Sequence, residues 1–452
     1  MNKTRHKRKL DCFEEMQRYV AGIDLAGHAD HYVCGPRKDD GTHDIEHFGT
    51  TTEELRRMLS WLKERGVVSA AMESTSVYWI PVYDILESSG IKVVLVDTRT
   101  VRMVPGRKSD VKDCQWLQRL HSAGLLRGAF RPPERFNAIR MVIRERENVI
   151  AMRTQAIQSI QKSLDQMNVR LHHAVSDIDG VTGMKMLTAI VNGERDPFKL
   201  AAMRDYRCRK DVAAIAAELV GNWRDEHVFN LEQAYLMLVA LDERLAAYDQ
   251  KIVAMFADVS KDSGGEAVDV DKSAGESKRK GSIGERKMLA RLMGFDMTSV
   301  TGIGIQSAYA IAAELGNDLS MFPDENHFVS YIGLAPPLGT SAGKRVRTGH
   351  KAKNTNRVGV ILRQCAMGTM RTDSEIGARF RCIRSRSSTL TAVKATARRM
   401  AQLLYRGVKF GTKYVEEGED AYEKRRRDRT IRSMSRKMKS LGISFEELAK
   451  AS

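Results

Sequence analysis

The chain is short of every feature that would place it in a membrane or an oxidising compartment. No stretch of its 452 residues approaches 18 uninterrupted apolar positions, so a spanning helix is not expected. The basic start, MNKTRHKRKLDCFEEM, has no apolar segment of the secretory kind. None of its six cysteines (Cys12, Cys34, Cys114, Cys208, Cys365 and Cys382) forms a C-x-x-C pair. That pattern excludes a disulfide framework and implies a reduced, cytoplasmic protein. His28, His31 and Cys34 are spaced like ligands, but no second pair follows, which argues against zinc. Aromatic residues are only 6%, so a stacking platform for single strands is not the expected mode of nucleic-acid contact. Acids are scarce relative to bases: 57 Asp and Glu face 74 Lys and Arg, a formal charge of +17. That excess favours a polyanionic partner, nucleic acid foremost.

What is present divides the chain into segments. After a basic arm (1–18), residues 19–130 read as α/β. YVAGIDLA (19–26), HYVCG (31–35), VVSAAME (67–73) and IKVVLVD (91–97) have strand character. TTEELRRMLSWLKERG (51–66) carries a Thr cap, helical apolar spacing and a terminal Gly. VYWIPVYDILESSG reads as a helix broken early by Pro81. Alternation of this kind builds a mixed or parallel sheet covered by helices. Residues 131–257 are helical: an uninterrupted run from about Phe136 to Leu171, then FNLEQAYLMLVALDERLAAYDQKIVAMF (229–256), which could return antiparallel to it. The two are either a coiled-coil arm or a plain helical hairpin burying its own seam. Residues 258–287, rich in Gly, Ser and charge, read as a flexible linker or insertion. Residues 288–415 read as a mostly helical domain, and 416–452 as a basic tail with a helix over 423–439. GVTGMKMLTAIV (180–191) echoes SVTGIGIQSAYAIAAELG (299–316). Both place a Gly-containing turn, Gly302 and Gly304 in the second, before an apolar helix. A helix-hairpin-helix does the same to aim N–H groups at a phosphate, although such turns are also common in any helical protein.

Four carboxylates stand apart from the basic background. Asp24 lies inside a strand, where an unpaired carboxylate is unfavourable, and Glu73 ends another. In GRKSDVKDCQW (106–116), Asp110 and Asp113 share one face of a helix, a spacing at which like charges repel. A solvated helix start would explain the pair alone, because Asp is favoured in a first turn. The order strand Asp, strand Glu, helical Asp-x-x-Asp suggests instead convergence on divalent cations. Hard oxygen ligands suit Mg2+ or Mn2+, and two such ions can clamp a phosphoryl transfer.

GIDLA, MESTSVYW and RKSDVKD together resemble the insertion-sequence transposases with an N-terminal DEDD, RuvC-like domain of the RNase H-like superfamily, the fold of Holliday-junction resolvases. The resemblance implies an α/β RNase H-like N-terminal domain with Asp24, Glu73, Asp110 and Asp113 as a Mg2+ (or Mn2+) tetrad. It also implies a long helical region and a mostly helical C-terminal transposase domain with a serine nucleophile. FVSYIGLAPPLGTSAGKRVRTGHKAKNTNRVGVILRQC (328–365) is similar to that family's serine signature, with Ser341 at the nucleophile position. Ala342 departs from the usual Gly, and Thr340 is a neighbouring hydroxyl. Gly343 offers a permissive backbone, while Lys344, Arg345, Arg347, Lys351, Lys353 and Arg357 supply cations for a phosphate. Arg425, Arg426 and Arg427 in the tail are further candidates for nucleic-acid contact. The family resemblance implies double-stranded DNA (element ends and target), a structured non-coding guide RNA, and a homo-oligomer, dimer or tetramer, whose protomers share sites.

The expected function is therefore a DNA transposase or recombinase working through a serine–phosphate intermediate. A metal-dependent Holliday-junction-type endonuclease that uses water, with Ser341 structural, is the alternative. A non-catalytic nucleic-acid-binding scaffold is the third reading, and the presence of all four acids argues against it.

Overall fold

The computed structural model describes residues 14–27, 29–74, 77–96, 110–126, 128–208, 210–262, 268, 270, 279–336, 339–341, 344–346, 356–411 and 418–441. The chain divides into two compact units, Met1–Arg131 and Pro132–Ser452.

In the first unit, β1 (Val20–Asp24), β2 (His31–Arg37), β3 (His43–Phe48), β4 (Ser69–Glu73) and β5 (Lys92–Val96) form one sheet in the order β3-β2-β1-β4-β5. β1, β4 and β5 run parallel, while β2 and β3 are antiparallel additions. With the helices α1 (Thr52–Glu64), α2 (Trp79–Ser88) and α3 (Asp110–Ser122), this is an RNase H-like domain. β3 is a strand that the sequence reading did not anticipate. HDIEHF offers only Ile45 and Phe48 as large apolar residues, and it pairs with β2 alone, as an edge. α2 is not broken at Pro81. The helix begins at Trp79, so the proline occupies its first turn, where a missing N–H removes no intrahelical bond.

The two sheet faces take different helices, as strand alternation requires. Ala21, Ile23, Val33, Ala70 and Met72 bury against Leu55, Met58 and Leu62 of α1 and Val82 and Leu86 of α2. Gly22, on the other face of β1, lies against α3. A Cβ there would sit 2.3 Å from both the Cys114 carbonyl oxygen and the Gln118 nitrogen. Only glycine allows this close approach of helix to strand.

In the second unit, α4 (Glu134–Gln166) and α9 (Asp225–Asp262) are 33 and 38 residues long. Arg146 pairs with Asp249 (2.7 Å), and Arg153 pairs with Asp242 seven residues earlier, so the helices run antiparallel. Between them, α5 (Leu171–Ala174), α6 (Val181–Val191), α7 (Pro197–Ala202) and α8 (Val212–Glu218) share a core with the hairpin through Leu171, Leu187, Ile190, Leu200, Ile215, Leu231 and Leu238. The segment expected to be a linker is helical at both ends. α9 extends to Asp262, and α10 (Ile283–Met293) starts with a Ser282–Glu285 capping box.

Beyond α10, a short 3-10 turn (Met297–Ser299) leads to α11 (Ile305–Leu315) and α12 (Glu325–Tyr331). The β6–β7 hairpin follows (Gly339–Ser341 with Lys344–Val346). α13 (Arg357–Gly368), α14 (Glu375–Arg386), α15 (Thr389–Phe410) and α16 (Gly418–Leu441) complete the unit. Arg286, Asp296 and Thr298 form a buried polar knot beneath the 3-10 turn: Arg286 donates to Asp296 (2.7 Å) and to Thr298 (2.9 Å). A buried charge of this kind is tolerated because it is paired and hydrogen-bonded. Among the described residues no helix is long and apolar enough to cross a membrane.

Candidate active site and nucleic-acid interface

The two strand carboxylates are neighbours. β1 pairs β4 in parallel up to Ile23 opposite Met72, which makes Asp24 and Glu73 the next rung, at the carboxyl ends of both strands. Each is half-buried.

The position of α3 follows from three contacts. His121, near the helix end, meets Ser69 at the start of β4 (2.9 Å). Gln118 donates to the Val20 carbonyl (3.4 Å), and the turn at Cys114 covers Gly22. The helix therefore runs against the strand direction. Its amino-terminal turn, holding Asp110 and the half-buried Asp113, points toward the end where β1 and β4 finish. A helix rises about 1.5 Å per residue and a strand about 3.3 Å. Three or four residues upstream of Cys114 thus match the two residues from Gly22 to Asp24. The positive end of the α3 dipole favours carboxylates there. The Asp110 side chain lies outside the described residues, and among the described residues no three potential ligands form a metal-binding group.

The support beneath this site is neutral. Ser69 Oγ donates to the Lys92 carbonyl (2.9 Å) and so accepts from His121 Nε2. Burial pushes the His121 pKa down to about 4. Cys34, paired in register with Gly22, bonds to the Cys114 thiol, and that bond together with burial pushes its pKa up. Cys34 is therefore a protonated packing group. Gly22 belongs to the functional architecture although it was not among the candidate residues. A glycine inside an otherwise apolar strand is the signal that could have found it.

In the second unit Ser341 is the last residue of β6, directly opposite Lys344, and Thr340 is opposite Arg345. Ser341 therefore stands at the end of a hairpin whose strands are joined through positions 342 and 343. The side chains of Ser341, Lys344 and Arg345 lie outside the described residues, as do Gly343, Arg347, Lys351 and Lys353 altogether. Arg357 opens α13 and pairs with Glu147 of α4, with its Nε 3.7 Å from Glu314. Glu314 also takes a bidentate bond from Arg144 (2.9 and 3.0 Å). Arg357 is thus already engaged by two carboxylates of its own unit.

Gly302 has φ +99, and its Cβ would stand 2.6 Å from the Thr369 side chain and 2.9 Å from the Cys365 carbonyl. Gly304 caps α11, and the first N–H of that helix, at Ile305, donates to the Arg279 carbonyl (2.9 Å). This turn is packed against its own chain, and one of its N–H groups is already used. In the echoing segment Gly180 is the cap, whereas Val181, Thr182 and Gly183 are helical, so the two V-T-G triplets adopt different structures. Of the tail arginines, Arg425 lies 3.8 Å from Glu375, Arg426 is half-buried and Arg427 is exposed.

A transposase family model of the DEDD type, from the IS110 group, matches residues 21–169. A second, described as transposase IS116/IS110/IS902 family, matches residues 296–381. No curated protein matches the chain. The first match spans the sheet from Ala21 onward, α3 and all of α4; the second spans the α11 turn, the Ser341 hairpin, α13 and most of α14. Together they cover just over half the chain, in the order the motifs require. The chain belongs to the IS110 family of insertion-sequence transposases.

Proposed function

We propose that this transposase cuts and rejoins DNA strands through a covalent Ser341–phosphate intermediate, with Asp24, Glu73, Asp110 and Asp113 holding Mg2+ or Mn2+. The observation that carries the reading is the register of Asp24 beside Glu73, with the start of α3 directed toward the same end of the sheet. The donor set fits a hard divalent ion, since it consists of carboxylates without thiol or imidazole. Such an ion would supply Lewis-acid stabilisation of phosphoryl charge.

The chain's own residues account for the exchange. Ser341 Oγ loses its proton and bonds to phosphorus while one P–O bond of the DNA strand breaks, and the released strand oxygen takes up a proton. A hydroxyl of a second strand end then attacks, the serine O–P bond breaks and the serine is regenerated. The number of phosphodiester bonds is unchanged, so no external energy source is required. Lys344, across the hairpin, and Arg345 beside it supply positive charge near the developing phosphorane. A structured guide RNA and a homo-oligomer complete the proposal; both rest on the family resemblance, and the charge of +17 suits the RNA.

The test is covalent trapping. Wild type with guide RNA and a nicked suicide DNA should give an adduct that survives denaturation. Thr340→Ala should trap it too, whereas Ser341→Ala should bind nucleic acid yet lose strand exchange entirely. If Ser341→Ala still cuts DNA and wild type never forms an adduct, the acids activate water and the protein is a junction-type endonuclease.

A further inference from the structure

We infer that α16 is a duplex-DNA-binding helix that carries a ridge of three arginines, Arg429, Arg432 and Arg436, into the major groove. Only its first turns are held by the body of the unit. Tyr422 is buried, Arg425 reaches Glu375, and the helix packs on α14. From Arg427 onward nearly every described side chain is exposed, around the whole circumference. At 24 residues the helix is about 36 Å long, and most of that length carries exposed side chains among the described residues.

The distribution of charge identifies the partner. Arg425, Arg429, Arg432 and Arg436 recur at i, i+4, i+7 and i+11, which places all four on one narrow face. Arg429 Nε donates back to the Arg425 carbonyl (3.3 Å), and Arg436 Nε to the Arg432 carbonyl (3.4 Å), so the guanidiniums lie along the ridge. Like charges at this spacing oppose helix formation. Within this stretch only Asp428 is acidic. A polyanion relieves the repulsion that remains beyond Glu375 and Asp428.

Groove geometry separates two polyanions. A helix about 10–12 Å across enters the major groove of B-form DNA, about 12 Å wide. The deep, narrow major groove of A-form RNA cannot be read in this way. A helix whose described side chains beyond Arg427 are exposed around its circumference suits the first. Ile431 (52% exposed) and Met434 (61%) lie on the opposite ridge, so pairing of two α16 helices through them is the competing arrangement.

The inference rests on the reading of the chain as a DNA-acting transposase but not on the serine chemistry. Absence of a Ser341 adduct would leave the following measurement untouched. Full-length wild type and the triple variant Arg429→Ala, Arg432→Ala, Arg436→Ala are titrated with a fluorescent DNA duplex, and with RNA of the same sequence, over a salt series in EDTA. Alanine preserves an exposed helix, and circular dichroism checks this; a glutamine triple replaces it if helicity falls. The slope of log K against log salt on DNA should flatten by about 0.9 for each arginine removed, with a smaller change on RNA. An unchanged DNA slope overturns the assignment. So does an equal change on both duplexes, or a variant whose only defect is a smaller oligomer.

Discussion

The two units solve opposite electrostatic problems. The sheet domain gathers negative charge at one end of β1 and β4, against the sign of the whole chain, and supports it with neutral, buried groups. His121 is uncharged, Cys34 is protonated, and Gly22 contributes no side chain at all. The second unit carries much of the positive charge and spends part of it internally: Arg140, Arg144 and Arg357 converge on Glu314. A cluster of acids therefore reads as a site because β1 and β4 end in neighbouring carboxylates on neutral, buried support. An arginine, by contrast, becomes a candidate for nucleic acid only after its partners inside the protein are known. Arg357 and Arg429 look alike in sequence, yet the first is held by two carboxylates and the second is exposed on a projecting helix.

The sharpest way to break this contrast is to remove one acid. Asp113→Asn, and separately Asp110→Asn, should lower recombination in Mg2+ by roughly a thousandfold or more if the carboxylates hold the ion. The urea midpoint should hold or rise slightly, because a like-charge pair on one helix face is relieved. A variant that recombines like wild type would show that the acids are only a favourable helix start.

The acidic end of the sheet was more legible in sequence than the basic surface, for a physical reason. Strand residues are fixed by local alternation and by their neighbours in register, so GIDLA and AAME already placed Asp24 within one strand and Glu73 at the end of another, and the structure ends β1 at Asp24. β3 escaped notice because an edge strand needs little apolar surface, and Pro81 misled because its effect depends on which helical turn it occupies. The turn at Gly302 and Gly304 was legible as a turn, but not the fact that Arg279 and Thr369 close it. That depends on residues about 25 and 67 positions away in the chain. Arg357 could not be told from a phosphate ligand without Glu147 and Glu314, which come from two other helices.

Gly22 tests whether the placement of α3 matters for both stability and chemistry. In Gly22→Ala the new Cβ meets backbone atoms, the Cys114 carbonyl and the Gln118 nitrogen, which no rotamer change can relieve. The variant should lose about 3 kcal/mol, the upper range for overpacking. Activity should fall further than the lost folded fraction, because α3 carries Asp110 and Asp113 away from the strand ends. Wild-type stability together with wild-type recombination would mean that α3 does not lie on Gly22 in solution.

The smallest expected effect is a pH dependence confined to the sheet domain. Burial holds His121 at a pKa of about 4, below the ordinary 6.5. The unfolded chain therefore binds a proton that the folded chain refuses between those values. The contribution is fully present above about pH 6.5 and is lost as pH falls toward 4, with a ceiling on the order of 3 kcal/mol. His31 and His43 are also pushed down by burial and add slope in the same direction. Unfolding of the wild type in urea should become easier from pH 6.5 to 4. His121→Gln, which keeps a donor for Ser69 but does not titrate, should show a shallower decline, with the remainder left by His31 and His43. Equal slopes for the two proteins would mean that His121 is open to water and that the contact between α3 and Ser69 is loose.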